Sequence, residues 1–423
     1  MCATGATRSA KRYAARRLRG IWPDAPGRGS YNPLMSVRLG IERLLDGPDR
    51  KLIEGKRVGL VCNPASIDSG IVHVSDRLLA AGHRLTALFG PQHGFRSDLQ
   101  ENMVESPHAH DAKRRVPVHS LYSETREPTA DMLKEVDVLV IDLQDVGTRI
   151  YTYIYTMANC LHAASRHGVR VVVCDRPNPI NGNDIEGATL DPAYESFVGQ
   201  FAIPMRHGLT IGEAARLFNE HFGLNATLDV VPLEGWKRSM FFDETGLPWV
   251  LPSPNIPTLD TAVVYPGAVL FEGTLLSEGR GTTRPFELIG APWIDGERFA
   301  EAMNARGIPG AYFRPVFFEP TFHKQAQRLC GGCQIHVTDR RVFPSMRTAV
   351  EMLDEFKREA PSEKLWRDPP YEYEHVKPPI DILYGSDQLR RGIDAGASPA
   401  SIMKGWKSDE AAFRKLREKF LLY

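Results

Sequence analysis

Short apolar runs alternate with segments of helical period from about residue 40 onward. A run of four to six apolar residues between polar or turn-forming residues is typical of a strand that is buried on both faces. Strands that alternate with helices form parallel sheets, so the pattern predicts an α/β fold with a parallel sheet. The predicted core strands are Arg57–Cys62, Leu85–Phe89, Val136–Ile141 and Val169–Cys174.

The segments between these runs predict helices. Apolar residues spaced three and four apart, each set followed by a glycine stop, predict helices at Val74–Ala81 and Tyr155–His167. The sequence Thr210-Ile-Gly-Glu213 is a capping box, in which the hydroxyl and the carboxylate bond to the first free amides of a helix. This helix is expected to run to about Phe222.

The second half of the chain predicts a smaller α/β domain. Residues 231–257 are rich in Trp, Pro and other aromatic residues and predict a long ordered connection. Beyond it, the pattern predicts a strand at Gly332–Thr338, a helix at Ser345–Arg358 and a polar C-terminal helix around Asp409–Phe420. The predicted organisation is an N-terminal arm over 1–34, a larger domain over 35–230, the connection over 231–257 and a smaller domain over 258–423.

Charge is distributed unevenly along the chain. The 423 residues contain 52 Lys and Arg against 52 Asp and Glu, so the overall field suggests neither a nucleic-acid partner nor an acidic membrane surface. Residues 1–30 hold seven basic side chains and one acidic side chain, Asp24. The arm over 1–34 is therefore expected to be disordered, as a solvated tail or as a basic arm with its own partner.

Targeting signals and disulfides are not evident in the sequence. The basic arm has no apolar run of the ~7–15 residues that a signal peptide needs, and no stretch approaches the ~20 apolar residues that would span a bilayer. Six cysteines in 423 residues are too few for a disulfide framework. A cytoplasmic location is expected, and export would require a different start.

The ends of the predicted strands are the first place to look for a ligand site. Ligands of open parallel sheets bind beyond the carboxyl ends of the strands. Strand ends often carry turn residues for structural reasons alone, but four polar ends that converge favour a ligand site. The candidates at these ends are Asn63, Gln92, His93, Asp142, Gln144, Asp145, Arg176 and Asn178.

Three further features have both a functional and a structural interpretation. An extended segment with Arg149, Tyr151 and Tyr153 would turn one face towards a ligand, or these residues are ordinary packing at a helix start. His93 and His207 each precede a glycine, which permits a turn that presents the ring, although a lone histidine is often structural.

The stretch from Glu272 to Glu287 is the most unusual in the sequence. Two glycines flank Arg280, and Thr282 and Thr283 follow it, so amides, a cation, hydroxyls and the acid Glu278 could meet one polar ligand. The alternative is a solvated loop with internal salt bridges. Dinucleotide and phosphate-loop signatures are absent, and the Cys330–Cys333 pair lacks the second pair of a closed zinc site. The sequence therefore predicts no cofactor and no metal.

Taken together, the motifs resemble a known family. In chain order, they resemble those of the NamZ-like exo-β-N-acetylmuramidases over roughly residues 35–423. The stretches that carry the resemblance include LVCNPAS, LFGPQHGFRSDLQENMVES, VLVIDLQDVGTRIYTYIYTM, VCDRPNPINGNDIEG, MRHGLTIGEAA, LPSPNIPTLDTAVVYPG and FEGTLLSEGRGTTRPFELIGAPW. Long motifs that recur in one order make this resemblance highly specific.

The resemblance implies a Rossmann-like parallel-sheet domain joined to a second, smaller α/β domain, with the active cleft between them. The implied reaction is hydrolysis of the β-glycosidic bond that holds a non-reducing-end N-acetylmuramic acid on peptidoglycan fragments, in cell-wall turnover and recycling. A peptidoglycan-derived muramyl glycoside is therefore the expected partner, with no metal or organic cofactor. Asn255, in the LPSPNIP motif, joins the candidate substrate-binding residues.

One residue departs from the family pattern. Many members have Pro-Glu-His-Gly where this chain has Pro91-Gln92-His93-Gly94, and that Glu is the favoured catalytic acid of the motif. Gln92 cannot transfer a proton as a carboxyl group does. Two further functions therefore stay open beside the muramidase: a catalytically silent muropeptide- or amino-sugar-binding protein, and a hydrolase of another amino-sugar glycoside.

Other carboxyl groups could carry the reaction, because glycosidases use two. Among Asp142, Asp145, Glu101, Glu105 and Glu278, we expect Asp145 and Glu278 to form the pair. In a substrate-assisted version, Gln92 would hold the acetamide while one of these two acids protonates the leaving oxygen.

The muramyl group itself suggests the binding residues. Arg149 and Arg280 are the cations expected to bind the lactyl carboxylate, because Arg–carboxylate contacts are bidentate. Tyr151 and Tyr153 are expected to stack on sugar faces.

Overall fold

A seven-stranded sheet forms the centre of residues 37–423, the part of the chain that the computed structural model describes. The predicted basic arm lies outside these residues. Two smaller sheets of three and two strands complete the β structure of this part of the chain. The strands are β1 (Arg57–Val61), β2 (Arg84–Gly90), β3 (Ala109–Asp111), β4 (Val116–Ser120), β5 (Val138–Ile141), β6 (Arg170–Cys174), β7 (Glu186–Thr189), β8 (Pro204–Arg206), β9 (Leu228–Val231), β10 (Leu288–Ala291), β11 (Ala311–Phe318) and β12 (Cys330–Val337).

The central sheet has the order β3-β4-β2-β1-β5-β6-β9. All neighbouring strands are parallel except β3 and β4. From β1 the chain builds outward to β2 on one side and later to β5 on the other, so the strand order reverses at β1. Loops diverge at such a point and leave a crevice beyond the carboxyl ends of the strands.

Helices cover this sheet and pack with the smaller sheets. The helices are α1 (Gly40–Asp46), α2 (Val74–Ala80), α3 (Ala130–Leu133), α4 (Tyr153–His167), α5 (Ile211–Glu220), α6 (Leu259–Ala268), α7 (Gly296–Ala305), α8 (Ser345–Glu359), α9 (Pro379–Tyr384), α10 (Gln388–Asp394), α11 (Pro399–Ile402) and α12 (Trp406–Arg417). Within residues 37–423, none of them combines the length and the apolar character needed to cross a bilayer.

The predicted α/β fold with a parallel sheet is confirmed. The four predicted core strands correspond to β1, β2, β5 and β6, with ends that differ by at most two residues. The predicted capping box opens α5, where the Thr210 hydroxyl accepts from the Glu213 amide and the Glu213 carboxylate accepts from the Thr210 amide. Helix α4 begins at Tyr153 rather than at Tyr155, so the preceding residues turn into the helix.

The three-stranded sheet comes from the second half of the chain. Its order is β10-β12-β11, and both neighbouring pairs are antiparallel. Strand β12 begins at Cys330, so the Cys330–Cys333 pair lies within a strand instead of in a metal-binding loop. Both cysteines are buried free thiols, and burial raises the pKa of each, to about 11 for Cys330. No group of metal-ligating side chains occurs among residues 37–423.

One large hydrophobic core includes side chains from both halves of the chain. Helix α6 joins these halves, and its Gly267 touches the start of α8. The Gly267 amide donates to the Ser345 hydroxyl at 2.9 Å, and that hydroxyl donates to the Val264 carbonyl at 2.8 Å. A Cβ atom at Gly267 would lie 2.1 Å from the Ser345 carbonyl oxygen. Only glycine allows this approach.

This contact gives a prediction about stability. Gly267→Ala should improve helix propensity by about 1 kcal/mol, yet we expect it to lower the free energy of unfolding by about 1–3 kcal/mol, because the Ser345 backbone cannot move away cheaply. Chemical denaturation followed by circular dichroism would measure this. The control is Gly405→Ala, where a Cβ meets nothing within 4 Å. Equal effects of the two substitutions would contradict the packing argument.

Candidate active site

A cavity forms where the loops after β2 and β5 meet residues from the second half of the chain. The loop after β2 supplies Gln92 and His93, the segment after β5 supplies residues 150–153, and residues 253–286 and 371–372 supply much of the remaining wall. Its empty volume is about 470 Å³, including the part that opens to solvent. Its lining mixes charged, amide and aromatic side chains, as in sites for small polar ligands.

Six of the residues selected from the sequence line this cavity. They come from four different motifs, so the structure brings together segments that lie far apart in the chain. The six are Gln92, His93, Tyr151, Tyr153, Asn255 and Arg280.

The first carboxyl group of the cavity belongs to Glu272, which is 2% exposed. One oxygen accepts from Nη2 of Arg280 at 2.7 Å, and the other accepts from the Tyr371 hydroxyl at 2.6 Å and from Nδ2 of Asn102 at 3.2 Å. Three donors, one of them a cation, converge on this group. Glu272 is therefore held in place by a buried ion pair and two further hydrogen bonds.

The second carboxyl group belongs to Glu372, which is 3% exposed. Its oxygens accept from Nε2 of Gln92 at 3.2 Å and from the Tyr122 hydroxyl at 2.8 Å. Burial raises the pKa of Glu372 to about 7; the charge of Glu272 adds to this rise, and the two hydrogen bonds oppose it. Glu372 therefore carries a proton in a large fraction of molecules at neutral pH, whereas Glu272 is ion-paired with Arg280.

Gln92 is fixed between two side chains. Its amide oxygen accepts from the Thr152 hydroxyl at 2.8 Å, and its amide nitrogen donates to Glu372 at 3.2 Å. Gln92 thus links the segment after β5 to the carboxyl group of Glu372.

His93 lies in a tight turn, as the following glycine predicts. His93 has φ of 70° and Gly94 has φ of 82°, both in the left-handed region. Nδ1 of His93 lies 2.7 Å from the Leu99 carbonyl oxygen, which can only accept, so Nδ1 carries the ring proton. Burial, with a smaller contribution from Arg280, lowers the pKa of His93 to about 4. The imidazole is therefore neutral at neutral pH.

Aromatic rings form one wall of the cavity. The centroid of Tyr151 lies 4.7 Å from that of Tyr153 and 6.0 Å from that of Tyr265, and Tyr265 lies 4.8 Å from Phe286. The guanidinium carbon of Arg280 lies 5.0 Å from the centre of the Phe286 ring. The wall is apolar and ends beside a cation.

Several buried polar atoms of the lining residues have no partner within the protein. They include both donors and acceptors, which is what a ligand with hydroxyl, amide and carboxylate groups requires. These atoms are Nη1 of Arg280, the Tyr151 hydroxyl, Oδ1 of Asn102 and Oδ1 of Asn255.

Comparison with known proteins identifies the family of the chain. Two family profiles match the chain, described as exo-beta-N-acetylmuramidase NamZ, N-terminal, over residues 58–260 and C-terminal over residues 263–423. The peptidoglycan beta-N-acetylmuramidase NamZ of Bacillus subtilis (strain 168) is 45% identical over 403 residues, which is 95% of this chain and 94% of that protein. The chain belongs to the NamZ exo-β-N-acetylmuramidase family.

Two solved structures from Bacteroides fragilis share the fold. Both are DUF1343 family proteins, and the match covers 92% of this chain and 99% of each of them. One is 35% identical with a TM-score of 0.83, and the other is 28% identical with a TM-score of 0.72. The resemblance to the NamZ family is thus confirmed by sequence, and the same fold occurs in solved structures.

Within this NamZ-family chain, Glu278 cannot serve as the expected proton donor. It is fully buried and is not among the lining residues. Burial alone would raise the pKa of Glu278, but Lys324 at 2.7 Å, His323 at 3.2 Å and Arg280 at 3.3 Å outweigh burial and hold the pKa well below its usual range. Glu278 is a structural anion, which corrects the expectation of a catalytic acid.

Arg149 also has a different role from the one expected. The segment after β5 is a turn rather than an extended strand, so the Arg149 side chain is fully buried and is absent from the cavity wall. Its guanidinium donates to the carbonyl oxygens of four residues, and burial lowers the pKa of Arg149 to about 10. It is unavailable to a lactyl carboxylate. The four acceptors are Ala188, Ile203, Leu383 and Tyr384.

Most of the other residues at the strand ends bind one another. Asp142 and Arg176 form a buried bidentate ion pair, with contacts of 2.7 and 2.8 Å. The amides of Gln144, Asn178 and Asn63 donate to backbone carbonyls, and Asn63 also donates to the Tyr153 hydroxyl at 2.9 Å. None of these five lines the cavity. They hold the loops in place, which corrects the expectation of direct substrate contact.

Asp145 and His207 form another internal contact. Nδ1 of His207 accepts from the Leu209 amide, so its proton is on Nε2, which lies 3.6 Å from the Asp145 carboxylate. The same carboxylate accepts from the Gly147 amide at 2.7 Å. Neither Asp145 nor His207 lines the cavity. Together with the finding for Glu278, this corrects the expectation that Asp145 and Glu278 form the catalytic pair.

Two predicted threonines also lie outside the lining. The Thr282 hydroxyl donates to the Gly279 carbonyl at 2.6 Å and closes the turn around Arg280, and Thr283 is exposed. The loop therefore has internal contacts, as in the alternative interpretation of a solvated loop with internal salt bridges. Arg280 itself nevertheless lines the cavity.

Sequence reasoning missed the two acids of the cavity. Glu272 opens the unusual stretch that the sequence analysis singled out, so its position in a motif was a usable signal. Glu372 and Tyr371 lie in the proline-flanked segment DPPYEYEHVKPP, which has neither helical nor strand periodicity. No local pattern indicates that this segment reaches the cavity.

The role of Arg149 can be tested through stability. Arg149→Met would leave four buried carbonyls without their donor, so we expect the free energy of unfolding to fall by about 2–4 kcal/mol. Thermal and chemical denaturation would measure the loss. The matched control is Arg341→Met, which removes an exposed arginine paired with Glu244 and should change stability by less than about 1 kcal/mol. Unchanged stability with a raised KM would instead assign Arg149 to the substrate.

Proposed function

We propose that the protein hydrolyses the β-glycosidic bond of a non-reducing-end N-acetylmuramic acid on peptidoglycan fragments, in cell-wall turnover and recycling. The observation that carries this proposal is the pair of carboxyl groups in one cavity, Glu272, which is ion-paired with Arg280, and Glu372, whose pKa burial raises to about 7. Glycosidases use such a pair, with one acid protonated and one ionised. Membership of the exo-β-N-acetylmuramidase family supports the same reaction.

Arg280 is the residue that we assign to the lactyl carboxylate of muramic acid. Its Nη2 is bound to Glu272, its Nε lies 3.3 Å from Glu278, and its Nη1 has no partner within the protein. A guanidinium nitrogen held rigidly by two carboxylates is oriented before the substrate arrives. A charge-assisted hydrogen bond to a buried carboxylate contributes about 1.5–3 kcal/mol, so this contact would distinguish muramic acid from N-acetylglucosamine.

The remaining features of the sugar match the rest of the wall. The rings of Tyr151 and Tyr265 offer apolar surface against a sugar face. Oδ1 of Asn255 and Oδ1 of Asn102 can accept from an acetamide N–H or from hydroxyls, and the Tyr151 hydroxyl can donate. These contacts are available without breaking a hydrogen bond within the protein.

Two other functions were open because position 92 lacks a carboxyl group. A silent binding protein would have no acid in the cavity, but Glu372 is in direct contact with Gln92 and supplies one. A hydrolase of another amino-sugar glycoside would have no use for the unpaired nitrogen of Arg280. Both observations favour the muramidase.

Turnover of matched glycosides tests the proposal. We expect release of 4-nitrophenol from the β-N-acetylmuramide, with kcat/KM about 10–150-fold higher than for the β-N-acetylglucosaminide, because of the charged contact of the lactyl group. In Arg280→Lys, which keeps the charge but loses the planar fork, this ratio should fall towards unity.

Each other outcome contradicts the proposal in a distinct way. Binding of N-acetylmuramic acid without turnover of either glycoside would indicate a binding protein. Faster turnover of the glucosaminide would indicate a hydrolase of another amino sugar.

A further inference from the structure

We propose that Glu372 is the general acid of this enzyme and that Gln92, at the position where the motif leads one to expect an acid, is the residue that positions it. This inference rests on the proposed function. It names the proton donor, which neither the sequence nor the family motif assigns.

The contacts of Glu372 are those of a proton donor that is held in place. It lines the same cavity as Glu272, and both of its hydrogen-bond partners, Gln92 and Tyr122, are neutral. The Gln92 nitrogen can only donate, so it cannot take the proton from Glu372. A glutamate at position 92 would compete for that proton at the same 3.2 Å separation.

The charged groups around Glu372 keep it protonated near neutral pH. Its pKa of about 7 reflects first burial and then the charge of Glu272, which outweigh the opposing hydrogen bonds from Tyr122 and Gln92 and the charge of Arg280. A general acid is most effective when its pKa lies near the working pH. Glu372 meets that condition, and Glu278 does not.

The backbone presents Glu372 at the tip of a turn. The amide and carbonyl groups of Tyr371 and Glu374 bond to each other, with both distances 2.9 Å. The two residues between them, Glu372 and Tyr373, have φ of 43° and 69°, as in a type I′ turn. Such turns favour Asn and Gly, and larger residues there are strained. Strain of this kind clusters at active sites because it aims a side chain that the reaction needs.

The step that this assignment implies is balanced. The Glu372 proton passes to the glycosidic oxygen as the bond from that oxygen to C1 breaks, and the bonding electrons stay with the oxygen. The leaving sugar departs as a neutral alcohol, and Glu372 becomes a carboxylate. Water then supplies the new oxygen on C1 of muramic acid, and its released proton returns to Glu372.

Leaving groups of different basicity test this step. A sugar alkoxide needs protonation to depart, whereas 4-nitrophenolate needs it far less. In Glu372→Gln we expect kcat for N-acetylmuramyl-β-1,4-N-acetylglucosamine to fall about 10²–10⁴-fold, and kcat for the 4-nitrophenyl muramide to fall about tenfold or less. The acid acts in its protonated form, so wild-type kcat for the disaccharide should decline as the pH rises through about 7. The variant should lack that decline.

Two further variants keep the test specific. Glu374→Gln is the matched control, because its amide oxygen can still accept from the Val376 and Lys377 amides, and it should behave as wild type. Gln92→Leu removes a donor to the ionised form of Glu372 and one of the two contacts that hold this side chain, so kcat should fall and its decline should move to higher pH. A structural role of Gln92 alone would lower stability without moving the profile.

The results separate the inference from the proposed function. Equal losses on both substrates in Glu372→Gln, with the pH decline retained, would overturn the assignment of the acid while leaving the muramidase intact. No turnover of either muramide by wild type would overturn both. If Glu372→Gln does not fold, Glu372→Asp keeps a carboxyl group but withdraws it from the cavity. A larger loss of kcat for the disaccharide than for the 4-nitrophenyl muramide supports the assignment, and equal losses overturn it.

Discussion

The chemistry of the cavity depends on the pairing of four buried charges, those of Lys324, Glu278, Arg280 and Glu272. A single unpaired charge at this depth would cost several kcal/mol, and here positive and negative groups alternate with separations of 2.7, 3.3 and 2.7 Å. The row ends at Glu272. Burial and the charge of Glu272 make the next carboxyl group, Glu372, hold its proton more strongly, against the hydrogen bonds from Gln92 and Tyr122. Two chemically identical side chains thus have different electrostatic surroundings.

The central fold was predictable because its signal is local. A strand buried on both faces needs an apolar run, and the runs at β1, β2, β5 and β6 could be read directly from the sequence. Strands β4 and β11 were missed because each contains a proline and exposed residues, so no apolar run marks them. Their conformation depends on pairing with neighbouring strands in the folded protein, which the local sequence does not show.

The site was predictable only in part, since polarity at a strand end does not show what a side chain faces. Asp142 and Arg176 looked like ligand residues but form an ion pair with each other, and Arg149 holds backbone carbonyls. Buried polar groups need hydrogen-bond partners. Many polar side chains at strand ends therefore bind one another or the backbone instead of a ligand. Glu372 lies 280 residues from its partner Gln92, and no periodic pattern connects them.

The exchange of Glu for Gln at position 92 is better understood as one half of a pair. Two carboxyl groups 3.2 Å apart cannot both be ionised, so a glutamate at position 92 would share one proton with Glu372. An amide at position 92 removes that competition and is itself held by Thr152. The proton-donating carboxyl group is then that of Glu372, at the tip of a strained turn near the C-terminal end of the chain. A chain that lacks a carboxyl group at the motif position can therefore still present one a single hydrogen bond away.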